Sequence, residues 1–554
     1  PIQQASKGVP VIQWEKDGVE EAGLVKIDLL GNRSLGVIRD TISQIRQNGH
    51  RLQESGWLPE EDSATRQTMA RGQTMGCFYI ESPATRLLQQ RSRHGDFEHV
   101  VLHSSIIRPA ANEFIREYLR RLHGGDWQPL HPLLAPVLDT TYGIMVYQED
   151  VSRVAVQFGF SHTEADRLRK IMSKKDKRRR LNHYQHRFFA AATERGVHPA
   201  TIERIWAMMM SFDGYSFCKP HSASYAQVSF QAAYLKTHFP AEFMAAVLSN
   251  QGGFYSTFAY VSEARRLGLT ILPPDVNCSA VSWKGGGRTV RVGLMAVAGL
   301  SKTTMTRIVT EAERCLFQSM TDFLRRVRPG RDEAEALVHA GALDTICPAA
   351  GGNRGALIWL LLSWYTAEKT AHPLFPCDPS PPPLPEENKR QQLRNEYRVL
   401  GFLCSCHPIV LFSGQRQAVK AMTVRQLQNL PEDAIQKRLT VRLIGWLITA
   451  KTISTKKGEA MEFLSVEDET GLLECTLFPR EYQQYSFLLT STGPLLLEGY
   501  LDEDFGVRTL VVTRIARVSQ ALQLSGQKMF CSEKDRNPAP SLKKLPAAQK
   551  RIHA

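Results

Sequence analysis

The strongest constraint on the fold is a change of pattern near residue 438, where side chains begin to alternate between apolar and polar. The alternation runs through three segments, "RLTVRLIGWLI", "EFLSVEDETGLLECTLF" and "LLLEGYLDEDFGVRTLVVTRI". A period of two predicts strands, and strands joined by short turns within residues 438–518 fit a small barrel of the OB type. Such barrels bind single-stranded nucleic acid through aromatic side chains, so Trp446 and Phe463 are candidate DNA-binding residues.

The chain before this change has the period of helices. Residues 1–32 look like the end of an α/β unit, and Asn32 is a good N-cap for a helix that ends at Gly49. Ser82-Pro83 marks another helix start, because serine caps a helix whose first position suits proline. Further amphipathic stretches lie at 109–123, 144–158, 163–195 and 199–212. We therefore expect one large helical domain over residues 33–277.

Residues 278–347 contain two glycine-bearing turns flanked by helical patterns, "AVAGLSKTTMTRIV" and "EALVHAGALDTI". Helix-hairpin-helix turns of this kind present backbone N–H groups to a DNA phosphate without reading bases. Gly299, Ser301 and Lys302 are the candidate contacts in the first turn. A hairpin that only packs against its neighbours explains the turns equally well.

Residues 348–437 combine a helical segment with a linker, and residues 371–388 hold seven prolines. Such a run is stiff and extended, so we expect a linker there. Residues 519–554 are polar, basic and proline-bearing, which is typical of a disordered tail.

The basic charge of the chain is clustered. Lys and Arg number 69 against 55 Asp and Glu, a net charge of +14. The segment "RLRKIMSKKDKRRR", residues 167–180, holds nine basic residues and one acidic residue, a net +8. Leu168, Ile171 and Met172 supply an apolar seam, so this segment is predicted to be a folded helix that turns a basic face to phosphates.

Other classes of protein fit the sequence less well. No stretch approaches the ~18 consecutive apolar residues of a membrane span, so we expect no membrane partner. The ten cysteines are scattered without a CxxC pair, which indicates reduced thiols and a cytoplasmic location. His94, His99 and His103 lie near one another in "RHGDFEHVVLH", but their spacing matches no common metal site.

Residues 24–35, "LVKIDLLGNRSL", have strand character, with Lys26 and Asp28 on the same face. A charged pair on one face of a buried strand is costly unless something uses it. The use of this pair is therefore a question about function.

Five blocks of sequence indicate how Lys26 and Asp28 are used. Together these blocks resemble the C family of bacterial DNA polymerases, the relatives of the polymerase III alpha subunit. They are "VKIDLLGNRSL", "MGCFYIESPATRLL", "SSIIRPAANEFIREY", "YGIMVYQEDVSRVA" and "FDGYSFCKPHSASYAQVSFQAAYLKTHFPAEFMAA". The residues in these motifs are most similar to those of the error-prone, damage-inducible branch. The resemblance implies a multidomain, mainly α chain with α/β and β parts: the end of a polymerase palm, a large helical fingers domain, a tandem helix-hairpin-helix and an OB-fold barrel.

The resemblance assigns Asp28 to the third catalytic aspartate of the family's palm. Asp28 would then be a ligand in two-metal phosphoryl transfer with Mg²⁺, and Lys26 would contact the incoming triphosphate. Carboxylates suit this role because Mg²⁺ prefers hard oxygen ligands.

The family's other two aspartates form an Asp-x-Asp pair followed by Phe, and no such pair precedes Asp28 here. "LDEDFG", with Asp502, Asp504 and Phe505, has the right local order, but it lies between two β runs and is predicted to be a solvated hairpin turn. The chain also starts at Pro1 in sequence that looks like mid-domain. We therefore expect a C-terminal piece that lacks two of three catalytic aspartates and is inactive alone.

The fingers are predicted to hold the incoming nucleotide. In "KPHSASY", His221 and Tyr225 are four residues apart and share a helix face, which suits stacking on a base. A pair that only packs in the core is the alternative reading from spacing alone. The candidate nucleotide-binding residues are Lys26, Arg167, Arg169, Lys170, Lys174, Lys175, Lys219, His221 and Tyr225.

The leading hypothesis is an error-prone DNA-directed DNA polymerase acting in damage tolerance, translesion synthesis and DNA repair. Its partners would be primer-template DNA, deoxynucleoside triphosphates and accessory mutagenesis proteins. Direct sliding-clamp binding is doubtful, because "AHPLF" at 371–375 has Ala371 where the family's clamp peptide has glutamine. One alternative is a non-catalytic DNA-binding module of the helix-hairpin-helix plus OB type. An RNA-binding or tRNA-associated OB protein is another, disfavoured by the fingers block.

Overall fold

In a computed structural model of the chain, helices dominate up to residue 436 and strands dominate after it. The residues that the structure describes are 2–5, 9–25, 32–52, 56–107, 112–172, 178–211, 218–347, 353–367, 381–385, 387–455, 457–490 and 493–518. Several residues singled out from the sequence lie outside these ranges: Lys26, Asp28, Lys174, Lys175, the peptide at 371–375 and the predicted tail.

A short hairpin and two helices come first. Strands β1 (Ile2–Gln4) and β2 (Pro10–Ile12) pair antiparallel, and helix α1 (Lys16–Glu21) follows. Helix α2 (Asn32–Gln47) confirms the helix predicted after residue 31. The sequence predicts that its apolar side is formed by Leu35, Ile38, Ile42 and Ile45. This prediction is only partly right, because Leu35 is 48% exposed while Val37 is buried.

The helical body continues to residue 266. Its helices are α3 (Ser63–Ala70), α4 (Pro83–Ser92), α5 (Phe97–Ile106), α6 (Asn112–Leu122), α7 (Ala135–Leu138), α8 (Gln148–Gln157), α9 (His162–Met172), α10 (Arg178–Glu194), α11 (Pro199–Met210), α12 (Lys219–His238), α13 (Pro240–Asn250) and α14 (Thr257–Arg266). The start predicted at Ser82-Pro83 is confirmed, since the Ser82 hydroxyl accepts the Thr85 N–H at 3.3 Å. The stretch predicted at 163–195 holds two helices, α9 and α10.

Helices α12 and α13 form the centre of the body. α13 is buried from Ala241 to Leu248, because other elements cover every side of it. The buried Lys236 of α12 donates hydrogen bonds to the carbonyls of Gln73 and Met75 at 2.9 Å and to Glu263 at 2.6 Å. A buried ammonium must be paired, so these contacts fix the segment before α4 against α12.

The next region holds a small mixed sheet and the two glycine turns. Its elements are β3 (Thr270–Leu272), β4 (Lys284–Gly286), β5 (Thr289–Arg291), α15 (Lys302–Arg314), α16 (Met320–Val327), α17 (Arg331–Ala340), α18 (Arg354–Ala367) and α19 (Lys389–Leu400). The strand order is β3-β5-β4, with β3 parallel and β4 antiparallel to β5. The first turn precedes α15 and the second follows α17.

The predicted barrel is confirmed. Its elements are the short helices α20 (Ser413–Ala418), α21 (Val424–Gln428) and α22 (Glu432–Gln436), then β6 (Val441–Ser454), β7 (Ala460–Glu467), β8 (Leu472–Leu477), α23 (Pro479–Tyr485), β9 (Leu495–Asp504) and β10 (Val507–Arg517). Five strands close in the order β10-β8-β7-β6-β9. The closure between β10 and β8 is parallel, whereas the other pairings are antiparallel, as is usual for an OB-like barrel.

The barrel packs on the helical body through buried charge and aromatic rings. Arg266, at the end of α14, forms a 2.8 Å ion pair with Glu467 of β7, which is fully buried. The ring of Phe258 lies 5.4 Å from that of Trp446, and His407 packs beside both. An unpaired carboxylate at Glu467 would be costly, so this contact specifies how the barrel sits on the body.

Among the described residues, no helix combines the length and the apolar character needed to cross a membrane.

Candidate nucleotide and DNA interface

The start of α12 confirms that His221 and Tyr225 share a face. Their ring centroids lie 4.2 Å apart at an interplanar angle of 48°, and both side chains are half-buried. The i, i+4 spacing of a helix produces this pairing directly.

Two further rings complete the group. Phe78 and Tyr79 lie 5.2 and 4.7 Å from Tyr225, edge to face. The Ser229 hydroxyl donates to the Phe78 carbonyl at 2.9 Å, which holds this segment on α12. Phe78, Tyr79, His221 and Tyr225 are called the aromatic cluster below. The sequence reasoning missed Phe78 and Tyr79, although both stand in the quoted block "MGCFYIESPATRLL".

The backbone at Tyr79 is unusual. Its φ of +66° places a bulky residue in the left-handed region. This conformation is rare for a side chain with a Cβ and recurs at functional sites, where surrounding structure enforces it. Here the enforcing contacts are with α12 and with the Ser104 carbonyl, which accepts from the Tyr79 hydroxyl at 3.3 Å.

Lys219 connects α12 to the start of α8. Its ammonium lies 5.0 Å from the Tyr147 ring centre and 3.9 Å from Glu98, while its backbone N–H donates to Glu149 at 3.1 Å. A cavity of about 410 Å³ opens beside these groups. Its lining includes Thr141, Tyr147, Asp150, Arg153, Lys219 and Pro220.

Asp150 is the buried acid of this cavity, only 2% exposed. It accepts the N–H groups of Val146 and Tyr147 at 3.1 and 2.8 Å, which caps α8. Burial raises its pKa to about 6, because these hydrogen bonds only partly offset the cost of ionising it there.

The basic segment on α9 is partly neutralised within its own helix. Arg169 and Lys170 form ion pairs with Asp166 at 2.7 and 2.9 Å. These hydrogen bonds, first from Arg169 and then from Lys170, lower the pKa of Asp166. Arg167 is exposed, whereas Leu168 and Met172 are buried, so the predicted apolar seam is confirmed.

Arg169 also reaches α8. Its guanidinium lies 3.3 Å from the side-chain oxygen of Gln148, the residue before Glu149. Arg169 and Lys219 therefore contact consecutive residues of α8. The fold brings these two predicted nucleotide-binding residues to one end of α8, while their role stays a prediction.

The first glycine turn is open. Gly299 has φ +81°, and no atom of the described residues lies within 4 Å of where its Cβ would be. Lys302 is exposed at the start of α15. Ser301 caps α15 through its hydroxyl, and its own backbone N–H donates to Glu333 at 2.9 Å. Of the three predicted contacts, Ser301 is therefore engaged within the protein, while Gly299 and Lys302 face solvent.

The second turn is packed. Gly341 also has φ +81°, but a Cβ there would collide with the Arg354 guanidinium. Arg354 is 6% exposed and donates to Asp344 at 2.9 Å and to the His339 carbonyl at 2.9 Å. The two turns thus share a backbone conformation and differ in what covers them.

The barrel places its two candidate aromatics differently. Phe463 is 42% exposed on β7, whereas Trp446 is half-buried against Phe258, Tyr397 and His407. Stacking on a base requires a free ring face, so Phe463 is the more accessible of the two. DNA binding by either residue stays a prediction.

"LDEDFG" does form the predicted hairpin turn. Asp504 pairs with Val507 across a two-residue turn in which Phe505 and Gly506 have φ of +53° and +78°. The turn also contacts the helical body, since Asp504 lies 3.4 Å from Arg91 and Phe505 stacks on His123. These contacts give Asp504 and Phe505 a packing role without catalysis.

Two regions of the chain match models of known protein families. Residues 34–196 match the bacterial DNA polymerase III alpha subunit finger domain, and residues 268–357 match a helix-hairpin-helix motif. The chain is 33% identical over 532 residues to DNA polymerase III subunit alpha of Thermus aquaticus, covering 92% of this chain and 43% of the relative. It is 30% identical over 573 residues to the error-prone DNA polymerase of Symbiobacterium thermophilum, covering 93% and 51%.

A third relative, DNA polymerase III subunit alpha of Halalkalibacterium halodurans, is 29% identical over 553 residues, covering 96% of this chain and 48% of the relative. The chain therefore spans about half the length of the curated relatives it matches.

Proposed function

We propose that this chain, which belongs to the C family of bacterial DNA polymerases, is part of an enzyme that adds deoxynucleotides to a primer 3′ end. The observation that carries the proposal is that residues distant in sequence lie close together around the start of α12. The aromatic cluster and Lys219 join residues of three separate sequence blocks, around 78, 147 and 221. Core packing alone would not require half-exposed rings and an exposed lysine near the same end of α12.

The aromatic cluster would contact the base or sugar of the incoming nucleotide, because half-exposed rings offer faces for stacking. Lys219, Arg169 and the exposed Arg167 would attract the triphosphate. Charge-assisted hydrogen bonds to phosphate oxygens suit that task. Lys174 and Lys175, outside the described residues, are proposed for the same role.

Asp28 is proposed as a palm ligand for Mg²⁺, with Lys26 near the triphosphate. Both lie outside the described residues, so the assignment depends on the motif and on the preference of Mg²⁺ for carboxylate oxygen. When bound, the ion neutralises charge that develops during phosphoryl transfer. In the full-length enzyme, Asp28→Asn should abolish incorporation and spare DNA binding, with Asp40→Asn on α2 as the matched control.

We further propose the error-prone role, in damage tolerance, translesion synthesis and repair, inside the cytoplasm. Support comes from the residues of the motifs, from the similarity to the error-prone DNA polymerase of Symbiobacterium thermophilum and from Ala371 in place of glutamine in the peptide at 371–375. An enzyme without direct clamp binding would need accessory proteins to reach damaged DNA.

The alternative is a non-catalytic DNA-binding module. The open turn at Gly299 and the exposed Phe463 favour it, since both suit DNA contact without chemistry. The aromatic cluster distinguishes the two functions, because a module that binds only DNA has no use for a nucleotide pocket.

A matched pair of rings on α12 provides the test. Tyr225→Ala in the full-length enzyme should raise KM for the incoming nucleotide by about tenfold, the loss of one base–ring stack, while binding to primer-template changes little. Tyr234→Ala is the control, because Tyr234 lies at the other end of the same helix and likewise pairs with a histidine. Its ring centroid is 4.4 Å from that of His238.

Steady-state incorporation and DNA titration on both variants separate the outcomes. Equal KM for Tyr225→Ala and Tyr234→Ala, with active and folded enzyme, would contradict the nucleotide pocket. A loss of DNA affinity alone would favour the non-catalytic module.

A further inference from the structure

We propose that His94, Asp96 and His99 form a binding site for a transition-metal dication such as Zn²⁺. Nδ1 of His99 lies 2.8 Å from each carboxylate oxygen of Asp96, and Nδ1 of His94 lies 3.4 Å from one of them. The ligand atoms of the three residues lie within 4.8 Å of one another. The site is independent of the proposed polymerase function.

The fold holds the three side chains together in a tight connection between α4 and α5. Arg93 ends α4 in the left-handed region, with φ +61°. Gly95 then packs so closely on α3 that a Cβ there would collide with the Arg66 carbonyl. Asp96 caps α5 by accepting the His99 N–H at 3.2 Å. The connection is therefore fixed from both sides, and metal binding would not need to order it.

The donor set indicates the kind of ion. Two imidazole nitrogens and one carboxylate oxygen suit Zn²⁺, Co²⁺ or Ni²⁺, whereas Mg²⁺ prefers oxygen alone. Zinc–nitrogen bonds of about 2.0–2.1 Å place tetrahedral ligands a little over 3 Å apart, close to the separations seen here. The His94 and His99 rings stack at 4.1 Å and 23°, so both reach Asp96 from the same side.

His103 supplies a second, independent observation. It lies one turn after His99 on α5, is 1% exposed, and its ring centroid is 6.2 Å from that of His99. Its Nε2 is 3.1 Å from the Tyr118 hydroxyl, but its Nδ1 has no hydrogen-bond partner in the described part of the chain. Buried polar atoms are rarely left without a hydrogen-bond partner. A metal ion with only three protein ligands also binds water, and such a water would supply a partner for this nitrogen.

The competing explanation is a helix cap supported by an Asp–His hydrogen bond, with no ion. That explanation accounts for Asp96 and His99. It does not account for the His94 ring stacked on His99 with its Nδ1 toward the same carboxylate, nor for the unpaired nitrogen of His103. The spacing of the histidines in the sequence did not indicate a metal site, because Asp96 was not counted among the possible ligands.

Titration of the full chain with Co²⁺ alone, in excess Mg²⁺, tests the proposal. We expect visible absorption bands of a histidine-ligated ion that saturate at one Co²⁺ per chain and are displaced by Zn²⁺. His94→Ala and His99→Ala should each lower the affinity by about tenfold or more, at least as much as losing an outer-shell partner. Asp96→Asn should do the same while keeping the helix cap, since asparagine caps as well as aspartate.

His183→Ala is the matched control, because His183 is an exposed histidine of α10 outside the site. It should leave Co²⁺ affinity unchanged. A Zn²⁺-dependent rise in the unfolding temperature, present in the parent chain and absent from the folded Asp96→Asn variant, is the second measurement. Equal Co²⁺ affinity in the parent chain and in the His94→Ala/His99→Ala double variant would overturn the proposal.

Discussion

The two glycine turns of residues 278–347 differ in their surroundings, and this difference separates a contact surface from a packing element. Both glycines have φ +81°. Among the residues that the structure describes, none approaches the position of a Cβ at Gly299, and the first-turn N–H groups of Lys302 and Thr303 have no acceptor within their own helix. Around Gly341 the backbone is buried under Arg354. A phosphate can approach the first turn and not the second.

Glu333 shows how the two halves of this region depend on each other. Its carboxylate accepts the N–H groups of Ser301 and Gly330 at 2.9 and 2.8 Å and the Thr304 hydroxyl at 2.9 Å. It therefore holds the start of α15 against the start of α17. The packed part of the region supports the open turn, which leaves Gly299 and Lys302 available for DNA.

The largest effect is expected at Arg354. Arg354→Met should lower the free energy of unfolding by about 3 kcal/mol, because it leaves Asp344 and the buried Glu396 without their cation. Urea unfolding measures the loss. Arg331→Met is the control: its ion pair with Glu335 is exposed, so its loss should cost only about 0.3–0.5 kcal/mol. Equal losses would remove the distinction between packed and open parts.

The glycines themselves come next. Gly299→Ala should cost about 1–2 kcal/mol, the strain of a Cβ in the left-handed region. Gly341→Ala should cost more, because its Cβ must also displace the buried Arg354. Thermal unfolding of both variants ranks them. If Gly299→Ala were the more destabilising, the first turn would have a packing role that its open surroundings do not show.

Lys302→Ala should then weaken DNA binding several-fold without affecting stability. An exposed lysine on a phosphate releases counterions, so the slope of log affinity against log salt should fall by about one. Lys284→Ala, an exposed lysine on β4, changes the net charge equally and should leave the slope unchanged. Identical slopes for the two variants would indicate a general charge effect rather than contact at the turn.

The smallest expected effect is a pH dependence at Glu333. Burial would raise its pKa, but the hydrogen bonds from Ser301, Gly330 and Thr304 outweigh it and lower the pKa below 4.5. A carboxyl group whose pKa is lower in the folded than in the unfolded state stabilises the fold at pH values above its unfolded-state pKa. This stabilisation is lost as the pH falls through the folded-state pKa. The stability difference between the parent chain and Glu333→Gln should therefore shrink as pH drops below 4.5. A constant difference from pH 6 to pH 3 would contradict this role of the carboxylate.

Local signals predicted much of this fold. The start at Ser82-Pro83, the strands of the barrel and the turn at Phe505 and Gly506 depend on neighbours in sequence, and each is confirmed. The pairing of His221 with Tyr225 follows from helix geometry alone.

The missed features depend on residues distant in sequence. Phe78 and Tyr79 reach Tyr225 only through the packing of their segment on α12. The turns at Gly299 and Gly341 are alike in sequence, and only Arg354 and Glu396, which come from later helices, distinguish them. Trp446 has an ordinary strand pattern, yet α14 and α19 cover its ring.

Hydrogen–deuterium exchange with and without primer-template DNA tests the contrast between the two turns most directly. With the chain saturated by DNA at low salt, peptides that contain residues 299–304 should exchange more slowly, because Lys302 and Thr303 N–H groups donate to a phosphate. Peptides that contain residues 341–346 should exchange at the same rate with and without DNA. Equal protection of both turns, or no protection of the first turn on saturated DNA, would contradict the account.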